Sequence, residues 1–278
     1  MNRFPIGKRE LFLSLVLTLL VIIVQLLYGY FDTTTKIVFC DVGQGDGAYI
    51  RIHNRIDVVI DTGPDRKILN CLGKYMPFYD RTIELAFISH DQKDHFGGFD
   101  YLLDRYRIKK IYMPDIETSL ESFKRLKQKM KDKKVRLQTL AVGMKIQIMG
   151  DVFFIHWPDG HCIAVDNNDC SLIFTFEEKY LPAGRQDFRA LFTGDASGKV
   201  LNKIAVKDVT LLKIPHHGSK NGLTKTFLRL ADPQVTVISV GKNNPYGHPS
   251  KQILDMLQSS KIKIKRTDKD GDVVFKLN

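Results

Sequence analysis

Two kinds of hydrophobic pattern divide the chain. Residues 11–31, LFLSLVLTLLVIIVQLLYGYF, are almost continuously apolar, interrupted only by Ser14, Thr18, Gln25 and Gly29. About 20 such residues span a ~30 Å hydrocarbon core as a helix rising ~1.5 Å per residue. Arg3, Lys8 and Arg9 precede the run, while DTTTKIVF after it is far less basic. The positive-inside tendency then predicts a cytoplasmic N-terminus and an exported body. A cleaved signal peptide is the rival reading, but no A-x-A-like site follows the run. A buried core helix is a third, against which stands the lack of any polar face. The expectation is a single-pass membrane anchor over residues 1–33 and one domain over residues 34–278.

Beyond residue 34 the pattern changes to short apolar or alternating runs closed by turn residues. KIVFCDV predicts a strand entering the turn GQGDG, and AYIRIH reads as its hairpin partner. IDVVIDTG and ELAFISH are strands that each end in a potential ligand. ETSLESFKRLKQKMKDKK predicts a helix over 117–134, with Leu120, Phe123 and Leu126 on one face and a basic solvent face opposite. VRLQTLAV, MKIQIMGDVFFIHWP, SLIFTFEEKY and RALFTGDAS continue as strands. VTLLKIPHHGS and VTVISVGKNNPYGHP run into histidine-bearing loops, with a helix at LTKTFLRLAD between them. KIKIKRT and DVVFKL are expected to form a last pair about the turn DKDGD. Strands first, then strands alternating with helices, predict a layered α/β body.

Composition narrows the picture only modestly. The 278 residues hold 44% hydrophobic and 26% charged positions, which excludes a disordered chain. Lys and Arg number 42 against 31 Asp and Glu, a net +11 that suits polyanionic partners or a plain basic surface equally. Cys40, Cys71, Cys162 and Cys170 lack CxxC spacing and so exclude a zinc knuckle. They read most simply as buried small apolar residues, with one disulfide open to an exported body.

The candidate chemistry sits at strand ends. SHDQKDHFGG packs His90, Asp91, Asp94 and His95 into six positions, and Asp61, Asn168-Asp169, Asp195, His216-His217 and His248 occupy other strand-end loops. Acids and imidazoles gathered in this way repel or desolvate one another unless a cation neutralises them. A divalent metal centre is therefore the expectation.

The order of these loops resembles the metallo-β-lactamase fold, whose HxHxDH signature follows a strand and precedes two glycines. The chain is most similar to the extracytoplasmic domain of the ComEC competence family. DVGQGDGAYI, VVIDTG, ISHDQKDHFGG, NDCSLIF, LFTGD, LKIPHHGSK, VISVGKNNPYGHP and RTDKDGDVVF carry that resemblance. It implies an αββα sandwich, and here one N-terminal anchor in place of the many membrane helices of a DNA-uptake channel. By position, His90, Asp94, His95, Asp195 and His248 become metal ligands, with Gln92 and Asp169 as oxygen donors. Asp61 and Asp46, with Gln44 beside it, become supports that orient the ligands. His216 and His217 join Asp94 as catalytic groups, one of the histidines serving as ligand or proton carrier. Gln92 stands where the fold's second histidine is expected, and the third-motif histidine is missing. That shift towards oxygen donors favours Mn²⁺ over Zn²⁺ in one or two sites.

The expected activity is metal-dependent hydrolysis, a phosphodiesterase or nuclease acting on extracellular DNA in uptake or degradation. Lys213, Lys220 and Lys242 are candidate phosphate contacts, and a DNA-uptake channel is a candidate partner. No organic cofactor is expected. The alternatives are a same-fold hydrolase of a small ester, lactone or phosphodiester, and a binding module with a decayed site.

Overall fold

The computed structural model describes residues 7–162, 167–179 and 187–277, without the side chains of 26–28 and 30. Arg3 of the charge argument lies outside the described residues. The chain opens with helix α1 (Lys8–Phe31). The first strands are β1 (Thr35–Phe39), β2 (Gly47–Ile52) and β3 (Ile56–Thr62), followed by α2 (Ile68–Tyr75) and β4 (Thr82–Phe87). Next come α3 (Lys93–Phe96), α4 (Phe99–Arg105), β5 (Arg107–Pro114), α5 (Glu121–Asp132) and β6 (Arg136–Leu140). The second half contains β7 (Lys145–Ile148), β8 (Asp151–Trp157), β9 (Ile173–Glu178), β10 (Phe188–Phe192) and α6 (Gly198–Leu201). It closes with β11 (Leu211–Lys213), α7 (Lys225–Ala231), β12 (Val235–Ile238), α8 (Lys251–Ser259), β13 (Lys263–Arg266), α9 (Thr267–Asp270) and β14 (Val273–Leu277).

The strands form two seven-stranded sheets, ordered β14-β1-β2-β3-β4-β5-β6 and β13-β12-β11-β10-β9-β8-β7. Strands β3 to β6 run parallel, as do β10 to β13, while the hairpins β1–β2 and β8–β9 are antiparallel. Three apolar layers explain why strands such as IDVVIDT are apolar at successive positions. Val59 faces a layer against Phe99, Phe123 and Leu126, whereas Val58 and Ile60 face a layer between the sheets with Phe87 and Phe174. A third layer packs Leu212 and Ile238 against Phe227 and Ile253 of α7 and α8. The body is thus an αββα sandwich.

Three local expectations change. Helix α5 starts four residues later than the sequence pattern suggested, and its buried face is Phe123, Leu126 and Met130, with Leu120 half-exposed at its N-cap. The closing segments do not pair with each other. Strand β13 joins β12 in one sheet and β14 joins β1 in the other, with the short helix α9 where a turn was expected. All four cysteines are oxidised, as Cys40–Cys71 and Cys162–Cys170, so they are cross-links rather than free apolar fillers.

Helix α1 is exposed along its apolar length, from Leu11 through Val24. The unbroken run of described side chains in it starts with the charged Lys8, Arg9 and Glu10 and stops at Gln25. Among the described residues, no helix is long and apolar enough to cross a membrane.

Candidate metal centre

The parallel strands β3, β4, β10, β11 and β12 all end at the same edge of the sandwich, and their loops converge there. Asp61 ends β3 with φ +51, and this left-handed backbone aims its carboxylate back at the loop after β4. Its Oδ1 accepts from the Ser89 amide at 2.8 Å and its Oδ2 from the Ser89 hydroxyl at 2.7 Å. Asp61 Oδ2 also lies 2.8 Å from His95 Nδ1, so that nitrogen donates and His95 Nε2 faces the centre. His217 is oriented in the same way, with Nδ1 donating to the Ser239 carbonyl at 2.9 Å.

The glycines of HFGG have a packing reason. A Cβ on Gly97 would lie 2.3 Å from the Pro64 carbonyl oxygen, and one on Gly98 would lie 2.4 Å from that of Thr62. Only glycine lets the start of α4 approach the end of β3 this closely. His216 and His217 both have left-handed backbones, at φ +49 and +53. Consecutive non-glycine residues in that region store strain, which is concentrated at functional sites.

One ligand atom from each of Asp46, His95, Asp195 and His217 lies within 4.8 Å of the others, and all four residues are buried. His95 Nε2 is 3.2 Å from Asp195 Oδ1, and His217 Nε2 is 3.4 Å from Asp195 Oδ2 and 3.2 Å from Asp94 Oδ2. His90 packs its ring 4.2 Å from that of His95. The buried Nε2 atoms of His90 and His95 and Oδ1 of Asp195 have no hydrogen-bond partner.

The electrostatics point the same way. Burial opposes charge on His95 and His217, yet the Asp195 carboxylate, with Asp61 or Asp46, outweighs it and raises both imidazoles well above their usual range. Burial also works against the Asp94 carboxylate, but His217 and His95 bring it down to about 2. His90 is the opposite case: burial and the neighbouring His95 push it down to about 3 and keep it neutral. Carboxylates that draw protons onto two imidazoles would draw a cation to the same place. The donor set and its orphaned buried atoms therefore fit a divalent metal.

Other expected site residues are placed as follows. Asp46, expected as a support, stands inside the cluster. His248 lies at the rim, its ring 5.9 Å from that of His216, with a buried Nδ1 that has no partner. Asp169 and Lys220 line an open groove beside Asp195 and His216. Asp169 Oδ1 accepts from the Ser197 amide at 3.1 Å. Gln92 is the half-buried N-cap of α3, and its carbonyl accepts from His95 and Phe96. Gln44 Oε1 accepts from the Gly241 amide at 3.1 Å, bracing the late loop. Lys242 is exposed on that loop. Lys213 is a correction: only 3% exposed, it donates to the Gly194 carbonyl at 2.9 Å and pairs with Asp46, so it cannot reach a substrate phosphate.

Sequence reasoning missed a second buried cluster. His53 Nε2 is 3.0 Å from Asp151 Oδ2 and 3.9 Å from Glu178 Oε1. It ties the turn after β2 to the start of β8 and the end of β9, at the opposite pole from the metal centre. No strand-end motif signals it, because its members come from three separate turns.

Known proteins share both the fold and the sequence. The chain superposes on the metallo-β-lactamase fold protein YhfI from Bacillus subtilis with a TM-score of 0.59 and 11% identity, covering 87% of this chain and 99% of that one. It superposes on Igni18, a metallo hydrolase from the archaeon Ignicoccus hospitalis, with a TM-score of 0.56 and 15% identity, covering 87% and 99%. At such identity the likeness shows the fold: metallo-β-lactamase, two packed sheets. In sequence, the chain is homologous to ComE operon protein 3 of Bacillus subtilis, 27% identical over 271 residues that cover 90% of this chain and 34% of that protein. It is 25% identical to Recombination protein 2 of Haemophilus influenzae over 239 residues, covering 84% and 28%. The chain thus spans about a third of the length of these relatives. No family model matches it.

Proposed function

We propose that this metallo-β-lactamase-fold hydrolase is a phosphodiesterase that cleaves nucleic acid, DNA foremost, outside the cytoplasmic membrane. The observation that carries the reading is the buried cluster of Asp46, His95, Asp195 and His217, with Asp94 and His90 beside it. These residues would hold one or two divalent ions. Three carboxylates among the imidazoles favour Mn²⁺ over Zn²⁺. When bound, such an ion lowers the pKa of water towards ~7 and polarises a phosphoryl oxygen.

The chain's own groups support that chemistry. Asp61 and the Ser239 carbonyl fix the His95 and His217 tautomers, and Lys213 holds Asp46 in place. His216 sits at the half-exposed rim with Nε2 3.8 Å from Asp195 Oδ2, where it can give a proton to a departing oxygen. Competence and recombination relatives and the +11 charge favour DNA over a neutral ester. The apolar run of residues 11–31 behind Lys8 and Arg9 is the ground for a membrane anchor with a cytoplasmic N-terminus and an extracytoplasmic body. The two disulfides suit an oxidising compartment. A DNA-uptake channel is the natural partner for such a chain.

The test supplies Mn²⁺ to the purified chain with labelled single- and double-stranded DNA, a small phosphodiester and a lactone. DNA cleavage is expected, with a loss of at least a hundredfold in Asp94→Ala and Asp195→Ala. Turnover of the small ester or lactone with DNA left intact would replace the nuclease reading with a small-ester hydrolase.

A further inference from the structure

The metal centre opens sideways into a groove of about 910 Å³. Asp195 and His216 form its inner end, and Lys199, Lys220 and Lys225 line it further out. All three lysines are exposed, and none has a carboxylate within ion-pair distance among the described residues. Their neighbour Asn221 adds a side-chain amide to the same wall. Elsewhere some basic side chains are paired: Lys129 with Asp100 and Asp104, and Lys179 with Glu177 and Asp187. The three lysines face a common space, which Asp169 and Asp195 also line.

Beyond His216 the rim of the groove is aromatic. Tyr246 is 67% exposed and stacks on His248, with centroids 5.9 Å apart and planes within 20°. The His248 ring in turn lies 5.9 Å from His216, which lines the lysine groove. A continuous rim therefore runs from the exposed Tyr246 ring through His248 and His216 to the three groove lysines.

We propose that this rim binds one single nucleic-acid strand, with a base stacked on Tyr246 and the backbone phosphates on the other side of the scissile bond held by Lys199, Lys220 and Lys225. The inference rests on the nuclease reading and narrows its substrate to a strand several nucleotides long. A stacking platform beside a basic groove is how proteins hold single strands without reading sequence. A base inside a duplex already stacks on its neighbours and has no free face to offer Tyr246. A lactone or single ester would occupy the centre and leave the lysines unused.

The test separates binding from cleavage. Full-length chain in detergent, with EDTA present, is titrated into a 5′-labelled 12-nucleotide single strand and followed by fluorescence anisotropy at several salt concentrations. The Lys199→Ala/Lys220→Ala/Lys225→Ala variant is expected to bind at least tenfold more weakly. Its log–log salt slope should be shallower by about 2, since each phosphate contact on a single strand contributes ~0.7. Tyr246→Ala should weaken single-strand binding at least fivefold, and Tyr246→Phe should restore it. A folding defect would lower the affinity without changing the salt slope and would not be rescued by phenylalanine. Wild-type affinity and slope in the lysine variant, or equal affinity of Tyr246→Ala and wild type, would overturn the proposal. A strand that binds as expected but stays uncut with Mn²⁺ would instead overturn the nuclease reading and leave the groove standing.

Discussion

At the scale of single residues, the centre depends on groups that never touch substrate. Asp61 accepts from the Ser89 amide and hydroxyl and binds His95 Nδ1 through a single carboxylate. Asp61→Asn keeps the size but replaces one acceptor oxygen by a donor, so His95 loses the hold that keeps Nε2 facing inward. Metal affinity is expected to fall about 10- to 100-fold, the usual cost of losing such a partner, and a competition titration with a metal indicator measures it. Unchanged affinity would remove the orienting role. His90, Asp94 and His95 stood out in the sequence because dense acids and imidazoles after an apolar run have few other uses, whereas Asp195, alone after its strand, was singled out as a ligand only by the family resemblance. The part of Lys213 was not, since a sequence shows its charge but not that Asp46 and the Gly194 carbonyl hold it inside. The same gap hid Asp46, whose membership of the cluster depends on a loop more than 140 residues from Asp195 folding over it.

At the scale of elements, the strands were readable and their partners were not. IDVVIDT and ELAFISH announce themselves by apolar run length, but nothing local in KIKIKRT or DVVFKL says that they join opposite sheets. That choice is made by β12, one helix earlier, and by β1 at the far end of the chain. The glycines after His95 gave a clearer signal. Because Gly98 lies against the Thr62 and Asp65 carbonyls, a Gly98→Ala methyl would sit 2.4 and 2.8 Å from two backbone oxygens. Backbone cannot swing aside as a side chain can, so the start of α4 must lift off β3. A loss of about 1–3 kcal/mol of stability is expected, the common cost of overpacking. Since α3 carries Asp94 and His95 immediately before it, metal affinity should fall with stability. Denaturant unfolding and metal titration on one preparation check both, and a stable Gly98→Ala chain with intact metal binding would contradict this coupling.

At the scale of the whole molecule, the sandwich has two unlike poles. Helix α1 meets the body where β1 begins at Thr35, whereas the metal centre lies past the other end of that sheet. Five residues of β1 at ~3.3 Å each put roughly 17 Å of strand between the two poles, before the loops are counted. An anchored chain would therefore hold its open groove away from the bilayer, towards a strand arriving from outside. Among the described side chains, the three apolar layers draw none of their members from α1, and the Asn54 side-chain amide meets the Gly29 carbonyl only at 3.5 Å. The body should accordingly fold without the helix. A chain of residues 34–278 is expected to be soluble, to keep the melting temperature of the full chain within a few degrees, and to cut a short single strand at an unchanged rate per molecule. The full chain should stay with the membrane pellet after carbonate washing. Release of the full chain by carbonate would show that α1 does not span the bilayer, and precipitation of the shortened chain would show that the helix belongs to the fold.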